Sequence, residues 1–129
     1  MAKSKHTNVL LASSDVMALM PHEKVTSFVA ELDAYHIELV QVDSNVDTGK
    51  QVDDVPSSRR IVGFIGHSEN DIPGLAAAIN RDGLAISVGG PASLWCARKD
   101  GQSVRSGRYL EVRQPSDAIL AIQSAVGGG

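Results

Sequence analysis

Ile72-Pro-Gly-Leu-Ala-Ala-Ala-Ile-Asn-Arg81 is the stretch on which the fold turns. Ile72, Leu75, Ala76 and Ile79 recur at i, i+3, i+4 and i+7, the spacing that lines one face of an α-helix. Asn70 or Asp71 can cap such a helix at its start and Gly83 can end it, so the pattern predicts a helix running to Arg81. The competing arrangement pairs residues 75–80 with residues 84–88 as a β-hairpin turning at Arg81-Asp82-Gly83. A helix here makes the neighbouring strands parallel, whereas a hairpin makes them antiparallel.

The flanking segments set the context of this stretch. Upstream, residues 61–65 (Ile-Val-Gly-Phe-Ile) form a short apolar run that reads as a buried strand, followed by Gly66-His67-Ser68-Glu69-Asn70-Asp71. Downstream, residues 84–88 are a strand under either arrangement, closed by Gly89-Gly90-Pro91. Further out, residues 8–12 (Asn-Val-Leu-Leu-Ala) are a first buried strand ending in the loop Ser13-Ser14-Asp15. An amphipathic helix follows over 21–35, with Pro21 in its first turn and Val25, Phe28, Val29 and Leu32 on one stripe. Residues 37–42 complete a strand-helix-strand unit. Residues 43–60 hold four Asp, Gly49 and Pro56 with no apolar period, and read as a long polar loop or one enclosing a short helix within 50–54.

Towards the C-terminus, residues 93–98 and 108–113 alternate in polarity around Asp100-Gly101 and Ser106-Gly107, which predicts an antiparallel hairpin. Ser116 is placed to cap a last helix over 117–126, with Ile119, Ile122 and Val126 on one stripe and Gly127 ending it. Residues 1–7 and 127–129 read as flexible ends. The expectation is a single α/β domain over 1–129: a Rossmann-like sandwich with a mixed, mostly parallel sheet, about three helices and a C-terminal antiparallel β-hairpin.

Composition sets limits on the class. At 129 residues the chain has the size of one domain, and its 43% apolar content is ample for a core. Aromatic residues are scarce, so that core must come from Val, Ile, Leu and Ala. Cys96 is the only cysteine, which excludes an intrachain disulfide and gives no sign of an oxidising compartment. The apolar run over 9–12 is too short for a signal core or a membrane span, so a cytoplasmic location without membrane insertion is expected. Residues 1–57 hold four Lys against nine acidic groups, and residues 58–129 hold eight basic groups against six acidic ones. That asymmetry suits either a solvated surface or a contact between copies, and a homo-oligomer is the expected assembly.

Parallel strands send their following loops to one rim, where amide groups and helix N-termini meet ligands. Four loops are compared on that basis. They supply Ser13, Ser14 and Asp15; Asp43; Gly66 and Asn70; and Gly89, Gly90 and Ser93 as ligand-binding candidates for a small phosphorylated or nucleotide-like ligand. His67 and Ser68 are the catalytic candidates, because an imidazole and a hydroxyl directly after a buried strand can act as acid, base or phosphate contact. Turn chemistry alone accounts for the same residue types, since Gly, Ser, Asn and Asp are what tight turns require. Whether the chain is an enzyme, and which cofactor it uses, stays open.

Other motifs fall short. Thr48-Gly49-Lys50 lacks the Gly and the Ser or Thr of a phosphate-binding loop, having Ser44 and Gln51 at those places. Gly63-Phe64-Ile65-Gly66 has its first glycine inside a strand and is no dinucleotide fingerprint. His6, His22, His36 and His67 are scattered, and no metal site is indicated. Cys96 reads as a packed small side chain. The basic segment with Arg98, Lys99, Arg105, Arg108 and Arg113 can track phosphates, but Arg108 and Arg113 face opposite sides of a regular strand, and nucleic acid is not the expected partner.

The string over residues 72–87, Ile-Pro-Gly-Leu-Ala-Ala-Ala-Ile-Asn-Arg-Asp-Gly-Leu-Ala-Ile-Ser, resembles the first hairpin of roadblock-type domains. It covers about an eighth of the chain. The resemblance implies a dimeric, non-catalytic scaffold for small GTPases. That family places a long helix directly before the hairpin, whereas residues 61–65 here form a strand. Two functions are therefore carried forward, a strand-end ligand-binding domain and a homo-oligomeric scaffold or interaction subunit.

Overall fold

The computed structural model describes residues 7–91 and 109–127. Within them lie five strands: β1 (Asn8–Ser13), β2 (Ile37–Val42), β3 (Arg60–Gly66), β4 (Leu84–Val88) and β5 (Tyr109–Val112). They form one sheet in the order β2-β1-β3-β4-β5, and every neighbouring pair is parallel. The helices are α1 (Ser14–Met17), α2 (His22–Ala34), α3 (Thr48–Asp53), α4 (Ile72–Asn80) and α5 (Ile119–Gly127).

The deciding stretch is helical. Leu75, Ala77 and Ala78 of α4 are buried against the sheet, and β4 runs parallel to β3. Arg81-Asp82-Gly83 ends this helix rather than turning a hairpin: Gly83 N–H donates to the Ala78 carbonyl at 2.8 Å, and Asp82 has a φ of 63°. That overturns the hairpin arrangement over 72–87 and with it the layout that the roadblock resemblance implies. The antiparallel C-terminal hairpin is likewise not found among the described residues. Its second half contains β5, which pairs in parallel with β4, and residues 93–98 lie outside the described residues. The sheet of the described residues is all-parallel where a mixed one was expected.

Helices cover both faces of the sheet. One core gathers Val9 and Leu11 of β1, Val42 of β2, Ile61 and Phe64 of β3 and Ala85 of β4 under α3 and α4. The other gathers Leu10, Ala12, Ile37, Ile65 and Ile86 against Val16, Phe28, Leu32 and Ile122 of α1, α2 and α5. Adjacent strand residues face opposite sides, which is why both cores draw on each strand. In β3 that alternation breaks. Val9 pairs with Ile61 but Leu10 with Gly63, so one residue is extra and Phe64 swings to the α4 side. A glycine within a strand is a frequent mark of such a bulge.

Two local expectations need correction, and the short-helix alternative for 43–60 is borne out with shifted bounds. Ser13-Ser14-Asp15 is not simply a loop, because Ser13 accepts from Val16 N–H at 3.3 Å and caps the single turn α1. The polar stretch 43–60 contains α3, which starts at Thr48 because Asp47 Oδ1 accepts from Lys50 N–H at 3.1 Å. Ser116 is not the cap of the last helix. Asp117 closes a 3-10 turn over Pro115–Ala118 by accepting from Gln114 N–H at 3.2 Å, and α5 starts only at Ile119. The stripe on α2 is also narrower than its spacing suggests: Phe28 and Leu32 are buried, but Val29 is 41% exposed.

Candidate functional site at the strand ends

All five strands point the same way, so their carboxyl ends share one rim. The strand order reverses between β1 and β3, and at that place the loops separate to leave a crevice in open parallel sheets. Here the crevice is filled from inside. The Asp71 carboxyl group, fully buried, reaches back beneath the ends of β1, β2 and β3. Its Oδ2 accepts from Ser13 Oγ at 2.7 Å, from His67 N–H at 2.8 Å and from Ser68 N–H at 3.2 Å. Its Oδ1 accepts from Ser44 Oγ at 2.9 Å. Four donors on two oxygens suit a group that can only accept.

The surrounding hydroxyls are oriented by further bonds. Ser44 Oγ accepts from Asp15 N–H at 3.2 Å, and Ser14 Oγ accepts from Ser44 N–H at 2.9 Å. Each serine hydroxyl therefore accepts from one backbone amide, and those of Ser13 and Ser44 donate to Asp71. Gly66 makes this packing feasible. A Cβ on it would stand 2.7 Å from Asp71 Cβ, inside any tolerable contact.

The fourth loop joins through His67. Its Nδ1 is hydrogen-bonded to the Val88 carbonyl at the end of β4. That carbonyl can only accept, so Nδ1 carries the proton in this bond. Gly90, with a φ of 69°, passes so close that a Cβ would meet the His67 carbonyl oxygen at 2.7 Å.

The residues expected from sequence thus divide. Ser13, Ser14, Asp15, Gly66, His67, Ser68 and Gly90 come together at the rim through these bonds and contacts. Asp43 stands apart: it is exposed, and its Oδ1 accepts from Asn45 N–H at 2.9 Å within its own turn. Asn70 contributes its carbonyl, which accepts from Thr48 Oγ1 at 3.0 Å. Gly89 has a φ of 56° and open space around it, and Ser93 lies outside the described residues. No hydrogen bond joins His67 to Ser68 among the described residues. Ser68 Oγ is buried without a hydrogen-bond partner.

Asp71 and Ser44 lie in the strand-end loops compared from sequence, but neither is singled out there as a site residue. The signal for Asp71 was its place three residues after Ser68 and just before an apolar run, a capping spacing. It marks a helix start but not a hub reaching two other loops. Ser44 carries no signal of its own. Thr48, inside the rejected phosphate-loop match, is a second bridge: fully buried, it also accepts from Gly74 N–H at 2.9 Å and ties α3 to α4. Thr48→Val keeps the shape and removes both bonds, and is expected to cost about 1–2 kcal/mol. Urea denaturation followed by circular dichroism measures it.

Beyond the network, open hollows lie among the described residues, two of which bear on function. One, of about 500 Å³, lies between the 44–48 turn and Glu69, Asn70 and Pro73. The other, of about 630 Å³, runs between the start of α2 and the segment after β5. Met20, Phe28, Val88 and Pro115 supply its apolar surface, and Lys24, Arg113, Glu23 and Glu31 its charges. Neither Lys24 nor Arg113 has an ion-pair partner among the described residues. Sequence reasoning assigned Arg113 to a basic hairpin and gave no sign that it lines this groove.

Among the described residues no group of three or more His, Cys, Asp or Glu side chains could hold a metal ion, and no helix is long and apolar enough to cross a membrane. No protein-family model, curated protein or solved structure matches this chain.

Proposed function

We propose that this chain is a ligand-binding α/β module that takes a small organic anion with an apolar body, seated between the start of α2 and the segment after β5. The observation that carries this reading is the groove itself. Its volume of about 630 Å³ suits one small molecule, it has an apolar surface, and its lining holds two cations, Lys24 and Arg113, with no ion-pair partner among the described residues. The first turn of α2, 13 residues long, has Pro21 at its cap and no side chain bonded to its amides. Those amides and the helix dipole add a third source of positive potential. Glu23 and Glu31 oppose a polyanion, so one carboxylate or monophosphate head fits better than a di- or triphosphate.

Binding rather than catalysis is favoured because the strand-end polar groups are used on each other. Ser13 and Ser44 are committed to Asp71, and His67 to the Val88 carbonyl. The strand-end ligand of the sequence reading is thereby moved along the same rim, away from the crevice between β1 and β3. A Rossmann-like reading of the fold draws support from the order 2-1-3-4-5 with helices on both faces, in which ligands sit beyond the carboxyl ends of the strands.

The test is a thermal-shift screen of monocarboxylates and monophosphates bearing alkyl or aryl groups, followed by calorimetric titration of hits. Arg113→Ala and Lys24→Ala should each weaken binding by about 10–100-fold, as loss of a charged hydrogen bond does. His67→Ala should bind as wild type does. A panel with no stabilising compound, or a hit indifferent to Arg113→Ala, overturns the proposal.

A further inference from the structure

The donors around Asp71 have the composition of an anion site. Two backbone amides, of His67 and Ser68, and two hydroxyls, of Ser13 and Ser44, converge on one pair of oxygens within 2.7 to 3.2 Å. Ser13 and Ser44 are 0% and 3% exposed, so the cradle is built into the core rather than assembled at the surface. The hydroxyls cannot easily turn away, because each accepts from a backbone amide on its other side, Val16 N–H for Ser13 and Asp15 N–H for Ser44. Preorganised donors in a buried setting hold an oxyanion far more strongly than the same donors in water.

We propose that this cradle is an oxyanion-binding site whose occupant in the native chain is its own Asp71 side chain, and that a free carboxylate of formate or acetate size binds there when that side chain is removed. The site is separate from the groove beside α2, and the two stand or fall independently. Carboxylate is the class that fits, because the present occupant is a carboxylate and the donors are disposed about two oxygens. Gly66 limits the size. With Asp71 Cβ already close enough to exclude a Cβ on Gly66, the space left by truncation is that of a small acid and not of a bulky one.

The experiment is anion rescue of Asp71→Ala, read as melting temperature in sodium formate, acetate, phosphate and chloride at matched ionic strength. Formate should raise the melting temperature of the variant saturably by several degrees over chloride, acetate should do so less because its methyl meets the retained Cβ, and neither should do anything beyond chloride for wild type. Asp71→Asn, which keeps the cradle filled, should not respond. Ser13→Ala/Asp71→Ala should respond less than Asp71→Ala, since one donor is gone. Should Asp71→Ala be unfolded in chloride, recovery of its far-ultraviolet dichroism with rising formate reads the same binding. Formate no better than chloride, equal stabilisation of wild type, or a response to phosphate alone would each overturn the proposal.

Discussion

Asp71→Ala is expected to destabilise the protein by about 3–5 kcal/mol, the range seen when one member of a buried polar network is removed and its partners stay behind. The reason lies in what is left. Ser13 Oγ, Ser44 Oγ and the amides of His67 and Ser68 all lose their acceptor in a place that water reaches poorly. Full additivity would overstate the loss, because a water entering the vacated space can accept from two of the four. For a domain of this size such a loss corresponds to roughly a 10–15 °C fall in melting temperature. Asp71→Asn should cost less, about 1–2 kcal/mol, because its oxygen can keep the three bonds now made to Oδ2. Urea titration of both variants measures the difference, and equal losses would mean that shape rather than acceptance holds the loops. One side chain thus ties together the loops after β1, β2 and β3.

How much of this could be read from sequence follows from where the information is local. Residues 37–42 and 84–88 carry their own apolar patterns, and their strands begin and end where those patterns do. The i, i+3, i+4, i+7 spacing in 72–81 made the parallel layout visible, and α4 is where it predicts. Short elements were the hardest to place: α1 escaped and α3 was visible only as a short helix within 50–54, because they span four and six residues and each depends on a single capping side chain, Ser13 and Asp47. The bulge at Val9/Leu10 could not be read either. Gly63 hinted at it, but which face Phe64 takes depends on pairing with β1 and on the helix above. The same holds at the site. That the strand-end loops meet was inferable from parallel strands, but that Asp71 would occupy their crevice was not. A contact across 58 residues of chain leaves no periodic trace.

Gly74→Ala is expected to destabilise the protein by about 2 kcal/mol, against the sign that helix propensity alone would give. Alanine gains up to about 1 kcal/mol over glycine inside a helix. Here the added methyl would stand 2.5 Å from Phe64 Cε2 and 2.7 Å from Phe64 Cζ. Neither partner can give way. Phe64 is fully buried and its facing is fixed by the β3 bulge, while Gly74 N–H is held by Thr48 Oγ1 at 2.9 Å. Overpacking of this kind costs about 1–3 kcal/mol or more once side chains leave their rotamers. Phe64→Leu supplies the control, since leucine lacks the two ring atoms in question. Alone it should cost roughly 1–2 kcal/mol in lost packing. Combined with Gly74→Ala it should cost about what it costs alone, giving a favourable coupling of more than 1 kcal/mol in a double-mutant cycle. Strict additivity of the two substitutions would mean that α4 can lift from the sheet without penalty. That would loosen Asp71 too, because α4 begins at the residue after it, and both the cradle and the rim depend on that helix lying close against β3.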